Sequence, residues 1–385
     1  MMRSAATPTC TPWLMLPPAV EEGGEFSYKF FSLEEEKVLT FRKRGRGDEI
    51  PPDDAKVVGS SYGWVASFDE NSNHVFLSDP ISDRHVKLPS IDTLPDPHIN
   101  LFEGRGLVSQ VCISGPPPLD QEKENEWGAM MTFGPGIRPA GCSWGPGATW
   151  EHLEVAFQAY KPNKEEHVKF AMRPHHDLVH GGRGGGGGYF TTIQPCSFYL
   201  RCGSFVRDKY GRGEKHCEML HWSGGYCVRE TPITSLEVRG VMWEEMNVDV
   251  DMLEKECIQM PHLVWVETIC DTNPLIVMRF LKRGTGRTVF FLVLRIVKHR
   301  CEVVDCLNGS VLFVGMNQAV AFLATGKLKP NSIYFTDSGR VIGPPDTSRG
   351  DRGVGIFEFS TKTISHCNYD FHNNIHRPPI WFTPN

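Results

Sequence analysis

Short apolar runs separated by turn-forming clusters recur from Phe26 to the C-terminus, and this texture restricts the chain more than any other feature. Val57–Ser61, Gly63–Phe68, His74–Ser78 and His85–Leu88 form one such group. They are split by Asp69-Glu70-Asn71-Ser72-Asn73 and by Asp79-Pro80-Ile81-Ser82-Asp83. Asp, Asn and Ser side chains bond the local backbone, and Pro presets it, so these clusters close tight turns. Four short strands within about 30 residues is the size of one propeller blade.

The texture repeats. Gly106–Ile113, Trp127–Phe133 and Trp150–Ala156 make a second group. An irregular region from His167 to Val241 contains Tyr189–Ile193, Ser197–Leu200 and Cys217–His221. His262–Cys270, Leu275–Leu281, Thr288–Val297 and Cys301–Cys306 make a fourth group. Val311–Val314, Ala319–Leu323, Ser332–Thr336, Gly353–Phe359 and Thr363–Cys367 make a fifth. Trp243–Ile258 is acidic, with Met246, Val250 and Leu253 at helical spacing, and reads as a short helix on a connection. Helical patterns do not alternate with the strands, which excludes a parallel α/β sheet. About 20 strands favour a propeller over a sandwich. The expected fold is all-β, a β-propeller of six blades, with five or seven also compatible.

A ring must close. Phe26–Phe31 and Val38–Phe41 flank the acidic turn Glu34-Glu35-Glu36 and read as a hairpin. The hairpin is expected to complete the blade made by Ser332–Phe335, Gly353–Phe359 and Thr363–Cys367, leaving no long free edge. Burial of Phe26, Phe30, Phe31, Val38, Leu39 and Phe41 would accompany closure. The domain is thus placed at 26–385. Residues 1–25 read as a disordered tail, or alternatively as an organellar targeting segment. Trp13–Leu16 is too short for a signal-peptide core, and the prolines and the single Arg suit a transit helix poorly. Deleting residues 1–22 is expected to be tolerated, whereas deleting 1–42 should not be.

Composition narrows function by exclusion. The net charge is −6, from 40 basic and 46 acidic residues. A general nucleic-acid binder carries a basic excess, so nucleic acid is not an expected partner. The longest apolar runs, Val289–Leu294 and Ala319–Ala324, fall far short of the roughly 20 residues of a spanning helix. No membrane role is expected. The 12 cysteines contain no C-x-x-C pair, which excludes a zinc ribbon or thioredoxin site. Scattered through apolar strands, they read as reduced thiols of a cytoplasmic or nuclear protein. The sequon Asn308-Gly309-Ser310 is the one feature pointing toward secretion.

Four motifs invite chemistry and lose it on inspection. Gly141-Cys142-Ser143-Trp144-Gly145 matches the G-x-S-x-G nucleophile elbow, which needs a strand before the Ser and a helix after it. Pro139 and Pro146-Gly147 flank it, so it reads as a blade-edge loop. His176 and His180, beside His175 and Asp177, would share a helix face like the zinc-binding H-E-x-x-H. No third ligand is indicated, and a strand would separate the two side chains. Gly181-Gly182-Arg183 and Gly184–Gly188 match G-x-G-x-x-G without the strand and helix that phosphate binding requires, and read as a flexible loop. The basic run Arg42–Arg46 is offset by Asp48, Glu49, Asp53 and Asp54 and reads as a solvated face. No catalytic, cofactor-binding or metal-binding residue is assigned, and no cofactor is expected.

Several segments together resemble one family. Val57-Val58-Gly59-Ser60-Ser61-Tyr62-Gly63-Trp64, then Phe76-Leu77-Ser78-Asp79-Pro80 and Leu88-Pro89, resemble the first blade of the plant KIB-type β-propeller family. This is domain-of-unknown-function family 295, often found behind an F-box. Leu328-Lys329-Pro330-Asn331-Ser332-Ile333-Tyr334-Phe335-Thr336-Asp337 resembles the family signature. Leu312–Asn317, Gly353–Phe359 with Thr361–Ile364, and Pro378-Pro379-Ile380-Trp381-Phe382-Thr383-Pro384 resemble later segments. Gly147–Leu153 resembles the turn before the family's Trp-Thr strand. The stretch before Phe26 is shorter than an F-box, so the resemblance implies a member without one. It implies a non-catalytic propeller that holds a protein partner on a face or rim. The alternative it implies is a substrate-recognition subunit of an SCF-type ubiquitin ligase whose F-box is missing from this gene model.

Overall fold

A hairpin needs a residue that turns the chain and one that accepts the loop amides, and this sequence repeats one solution. Asp69 accepts from the amides of Asn71 and Ser72 and from the Ser72 hydroxyl. Asp79 does the same with Ile81, Ser82 and the Ser82 hydroxyl. Ser32 Oγ accepts from Glu35 N in the acidic turn. Each of these loops ends in a left-handed residue: Asn73 at φ 55°, Asp83 at 55° and Glu36 at 53°. Lys362 at 57° ends a fourth such loop, its amide bonded to Glu358 O. Asn and Asp tolerate this backbone region best; Glu and Lys are less usual there. This turn, rather than any repeated core sequence, is the regularity behind the texture.

The structure is a computed structural model. It describes residues 11–20, 26–42, 50–52, 54–94, 108–117, 128–134, 138–143, 147–152, 177–181, 189–196, 199–207, 220–223, 226–234, 256–264, 266, 275–283, 285–297, 300–315, 319–336, 354–366 and 380–384. Strands β1 (Trp13–Val20), β2 (Phe26–Ser32) and β3 (Lys37–Arg42) open the chain. β4 (Lys56–Ser61), β5 (Trp64–Asp69), β6 (His74–Asp79) and β7 (Arg84–Ser90) follow. A 3-10 turn at Ile91–Thr93 leads on to β8 (Val108–Ile113), β9 (Gly128–Phe133), β10 (Arg138–Ser143) and β11 (Glu151–His152). Next come β12 (Asp177–Gly181), β13 (Tyr189–Cys196), β14 (Tyr199–Arg207), β15 (Leu220–Ser223) and β16 (Tyr226–Thr234). Then follow β17 (Cys257–Val264), β18 (Leu275–Lys282), β19 (Thr288–Val297) and β20 (Arg300–Val303). The chain ends with β21 (Ser310–Val314), β22 (Val320–Leu323), β23 (Ser332–Thr336), β24 (Val354–Glu358), β25 (Thr363–His366) and β26 (Ile380–Phe382).

These strands assort into six sheets. In chain order they are β26-β1-β2-β3, β4-β5-β6-β7, β11-β10-β9-β8, β12-β13-β14-β16-β15, β17-β18-β19-β20 and β22-β21-β23-β24-β25. Among the described residues, all pairings are antiparallel except β21 with β23. Each sheet packs against the next: β4 on β8, β8 and β9 on β12, β12 and β13 on β17, β19 on β25, and β26 on β4. Leu14, Phe31 and Trp381 of the first sheet pack with Val311, Phe313 and Tyr334 of the last. The result is an all-β ring of sheets, a β-propeller, as the strand texture predicts.

Closure differs from the expectation in two ways. The N-terminal hairpin does not join the blade of β23, β24 and β25, which has its own five strands. It joins the C-terminal strand β26 instead, and β1 lies between them. Trp13, Leu14 and Met15 pair with Phe382, Trp381 and Ile380 on one side and with Ser32, Phe31 and Phe30 on the other. Residues 13–20 are therefore a central strand, not part of a tail. Pro17 and Pro18 would break an ordinary ladder, but β26 ends before them, and the register with β2 shifts between Leu16 and Ala19. An irregularity of this kind is where a strand accommodates Pro. As the outermost strand, β3 leaves Val38 40% exposed and Leu39 and Phe41 only half-buried.

Two other local expectations change. Gly141–Ser143 belongs to β10, in register with Gly128–Met130, rather than to a loop. Gly141 and Pro139 hid this strand by composition. The proposed helix over Trp243–Ile258 falls mostly outside the described residues, but Cys257 and Ile258 already belong to β17.

Candidate functional site

Two of the segments that carry the family resemblance, around Gly59–Ser61 and Trp381, sit on seams between sheets. Gly59 is placed so that a Cβ would lie 2.1 Å from Val111 O of the neighbouring sheet, so only glycine permits this approach. Two residues on, Ser61 Oγ accepts from Ile113 N at 3.3 Å. Gly59 and Ser61 thus fix how β4 meets β8. Trp64, 2% exposed, packs into the apolar seam below, with the Arg84 guanidinium 5.1 Å from its ring.

The strongest motif is a clamp. Asn331 has φ 53°, and its Oδ1 accepts from Leu307 N at 3.0 Å and Gly309 N at 3.2 Å. Its own amide donates to Ser310 O, and its carbonyl accepts from Phe359 N. Ser332 Oγ donates to Lys329 O, Lys329 N donates to Tyr334 Oη, and Lys329 Nζ bonds Glu358 at 2.6 Å. One Asn thereby joins three stretches of chain. At the ring closure, Trp381 Nε1 donates to Val314 O at 3.1 Å. Beside it, Glu34 packs under Gly326, and Glu36 pairs with Lys327 at 3.2 Å.

Arg279 was not singled out from sequence, although a lone Arg inside Leu275–Leu281 was a visible signal. It is fully buried in β18. Its Nε and Nη2 donate to Thr288 Oγ1 at 2.8 and 2.6 Å, and its Nη1 donates to Thr336 O at 2.9 Å. Phe335 and Phe291 lie 5.2 and 5.9 Å from the guanidinium carbon. The cation spans the seam between the fifth and sixth sheets, and no solvent-borne substrate reaches it.

A Ser–His–Asp arrangement occurs at the β6–β7 hairpin. Ser78 Oγ lies 2.9 Å from His85 Nδ1, and His85 Nε2 lies 3.3 Å from Asp83 Oδ1. Ser78 has no exposed surface, so its hydroxyl cannot reach a substrate. The arrangement pins the hairpin instead. The adjacent turn carboxylates are held in their charged form. Burial works against ionised Asp79, but bonds from Ser82, Arg84 and Ile81 outweigh it and hold its carboxyl below the usual range. At Asp69 burial also works against the charged form, and bonds from Ser72 and Asn71 outweigh it and lower the carboxyl.

The tempting motifs do not converge. Ser143 ends β10, and the described chain after it leads through Trp150 into β11 rather than into a helix. His180 lies in β12, paired with Phe190, while His175 and His176 lie outside the described residues. Gly181 ends β12 and Tyr189 starts β13; the glycines between them lie outside the described residues, as do residues 43–49 of the basic stretch. Among the described residues, no group of three or more His, Cys, Asp or Glu could hold a metal ion.

The candidate surface is therefore the exterior of the ring. Among described residues, large exposed hydrophobics occur singly, at Val38, Ile81 and Leu323. The turns that frame the seam between the last and first sheets present Glu35, Glu36, Lys37, Lys327 and Lys329. A family profile described as the KIB1-4 beta-propeller matches residues 30–358, from within β2 to the end of β24. Among curated proteins, none matches the chain. Six sheets in a ring, sealed by residues of the family's own motifs and matched over most of the length, place this chain in the KIB1-4 β-propeller family.

Proposed function

We propose that this propeller is a non-catalytic scaffold, its six sheets forming six blades, that binds a protein partner on a face or rim. The observation that supports this most is where the polar chemistry goes. Arg279, Asn331, Ser61 and the Ser78–His85 pair are all engaged inside seams or turns, so they serve the ring rather than a reaction. What reaches solvent is a set of hairpin turns of mixed charge on a rigid frame, the arrangement by which loops bind partners. The free thiols of buried Cys257 and exposed Cys306 fit a reducing compartment, and we assign the protein to the cytoplasm or nucleus. No helix among the described residues is long and apolar enough to cross a membrane.

The test is crosslinking of the intact tagged chain in its native cells, with mass-spectrometric mapping of the lysines joined to each stoichiometric partner. Crosslinks from one partner clustering on Lys37, Lys327 and Lys329, or on another single face, are expected. Recovery of the chain without any stoichiometric partner, or of a turnover activity that co-purifies with it, overturns the reading. Recovery of ligase adaptor subunits as the stoichiometric partners would instead favour the substrate-receptor role.

A further inference from the structure

The turn Leu307-Asn308-Gly309-Ser310 enters β21 and is closed by Ser310 N donating to Leu307 O at 2.9 Å. Asn308 at φ 51° and Gly309 at φ 81° give it the left-handed geometry that Asn-Gly pairs favour. Asn308 is exposed. An exposed Asn followed by Gly is the pair most open to intramolecular attack, because glycine has no side chain to hinder its own amide. In that reaction the Gly309 nitrogen loses its proton and attacks Asn308 Cγ. The side-chain nitrogen leaves as ammonia, and a cyclic imide forms. Water then opens the ring at either carbonyl, giving aspartate or isoaspartate, with no oxidant or reductant involved.

In the folded chain the attacking nitrogen is occupied. Gly309 N donates to Asn331 Oδ1 at 3.2 Å, and the same oxygen takes Leu307 N at 3.0 Å on the other side of Asn308. Asn308 N points to Cys306 Sγ at 3.4 Å. We propose that Asn308 is a site of spontaneous deamidation and isoaspartate formation, and that the Asn331 side chain restrains it by holding the Gly309 amide. Loss of the clamp is then linked to a covalent, irreversible mark. Isoaspartate inserts a methylene into the backbone just before the point where Ser310 O accepts Asn331 N and Gly309 O accepts Ala324 N. The mark would loosen the exit of β22 and the entry of β23.

The test incubates the full chain at mildly alkaline pH and follows Asn308 by peptide mass spectrometry and an isoaspartyl-methyltransferase assay, in buffer and in urea. Folded wild type is expected to deamidate at Asn308 roughly tenfold or more slowly than the chain in urea, since leaving the turn breaks two or three hydrogen bonds. Asn331→Gly suits the left-handed backbone but removes the acceptor, and should bring the folded rate close to the urea rate. Asn331→Asp keeps an acceptor and strengthens it by charge, so it should deamidate at Asn308 no faster than wild type. Equal rates in folded and unfolded wild type overturn the proposal. So does a folded Asn331→Gly protein that matches wild type. If that variant does not fold, a faster rate in Asn331→Asp than in wild type overturns it alone.

Discussion

Removing residues 1–22 should unfold this propeller, because it deletes the strand that joins the two ends of the chain. Leu14 and Met15 are buried, and they lie between β26 and β2 in the first sheet. At ~1.5–3 kcal/mol for each large apolar side chain taken from water, those two alone contribute ~3–6 kcal/mol. Without β1, β26 has lost its one partner strand among the described residues. Ile380, Trp381 and Phe382, all at most 6% exposed, then depend on face contacts alone. Adding their release brings the loss to ~7–15 kcal/mol, which equals the whole stability of a typical domain, about 5–15 kcal/mol. The assay is thermal and urea unfolding of the full chain, of a chain lacking 1–10 and of a chain lacking 1–22, followed by circular dichroism and tryptophan fluorescence. The first truncation spares β1 and should melt with the full chain. The second should be insoluble, or should bind a hydrophobic dye and lack a cooperative transition. If it melts together with the full chain, β26 and β2 do not need β1 and the closure described here is wrong.

Gly59→Ala drives a Cβ into Val111 O and should cost ~1–3 kcal/mol by overpacking, read as a lower urea midpoint with an unchanged slope. Trp381→Phe keeps an aromatic ring but deletes the indole donor to Val314 O and part of the buried fill, and should lose ~1–3 kcal/mol in the same assay. Arg279→Ala strands Thr336 O and empties the space between Phe291 and Phe335, for a loss of ~2–5 kcal/mol; an unchanged midpoint would refute a role at that seam. The carboxyl of Asp79 is lowered in the folded chain, so its stabilisation is complete above the unfolded value of about 3.9 and fades as pH falls through the folded value. Asp79→Asn should therefore flatten the loss of urea resistance below about pH 4 relative to wild type, while a parallel curve would refute the assignment.

The strand texture made the fold class legible, because period-two apolar runs and Asp- or Ser-capped turns are local properties. Val57–Leu88 was readable almost residue by residue for that reason, and its four runs are β4 to β7. β1 and β10 were not readable. Their Pro and Gly residues mimic loop composition, and only the partner strands show that Pro17 lies beyond the reach of β26 and that Gly141 faces Met130. Ring closure is a pairing of residues 13–15 with 380–382, a relation no local window contains. The second Ser of Gly59-Ser60-Ser61 and the Asn of Lys329-Pro330-Asn331-Ser332 could be matched to a family from sequence, yet their roles needed Val111, Ile113, Leu307 and Gly309 beside them.

Those roles bear on how a propeller of this family diverges. A side chain that holds backbone of another stretch of its sheet, as Asn331 holds Leu307 and Gly309 at the entry of β21, cannot lose its acceptor without freeing those amides. Gly59 is restricted by bare distance, and Trp381 by an indole bond across the closure. The turns answer to a looser rule: they need a cap such as Asp69, Asp79 or Ser32 and a final residue that accepts a left-handed backbone. Between cap and final residue, Glu70, Ile81 and Glu35 project outward under no such restriction, so partner choice can change there while the ring stays sealed. The motifs that identify the family therefore report closure. Under the proposed scaffold role, partner specificity would belong to turn positions that carry no motif at all, which is why residues such as Lys37 and Lys327, rather than Asn331 or Trp381, are the ones to watch in the crosslinking experiment.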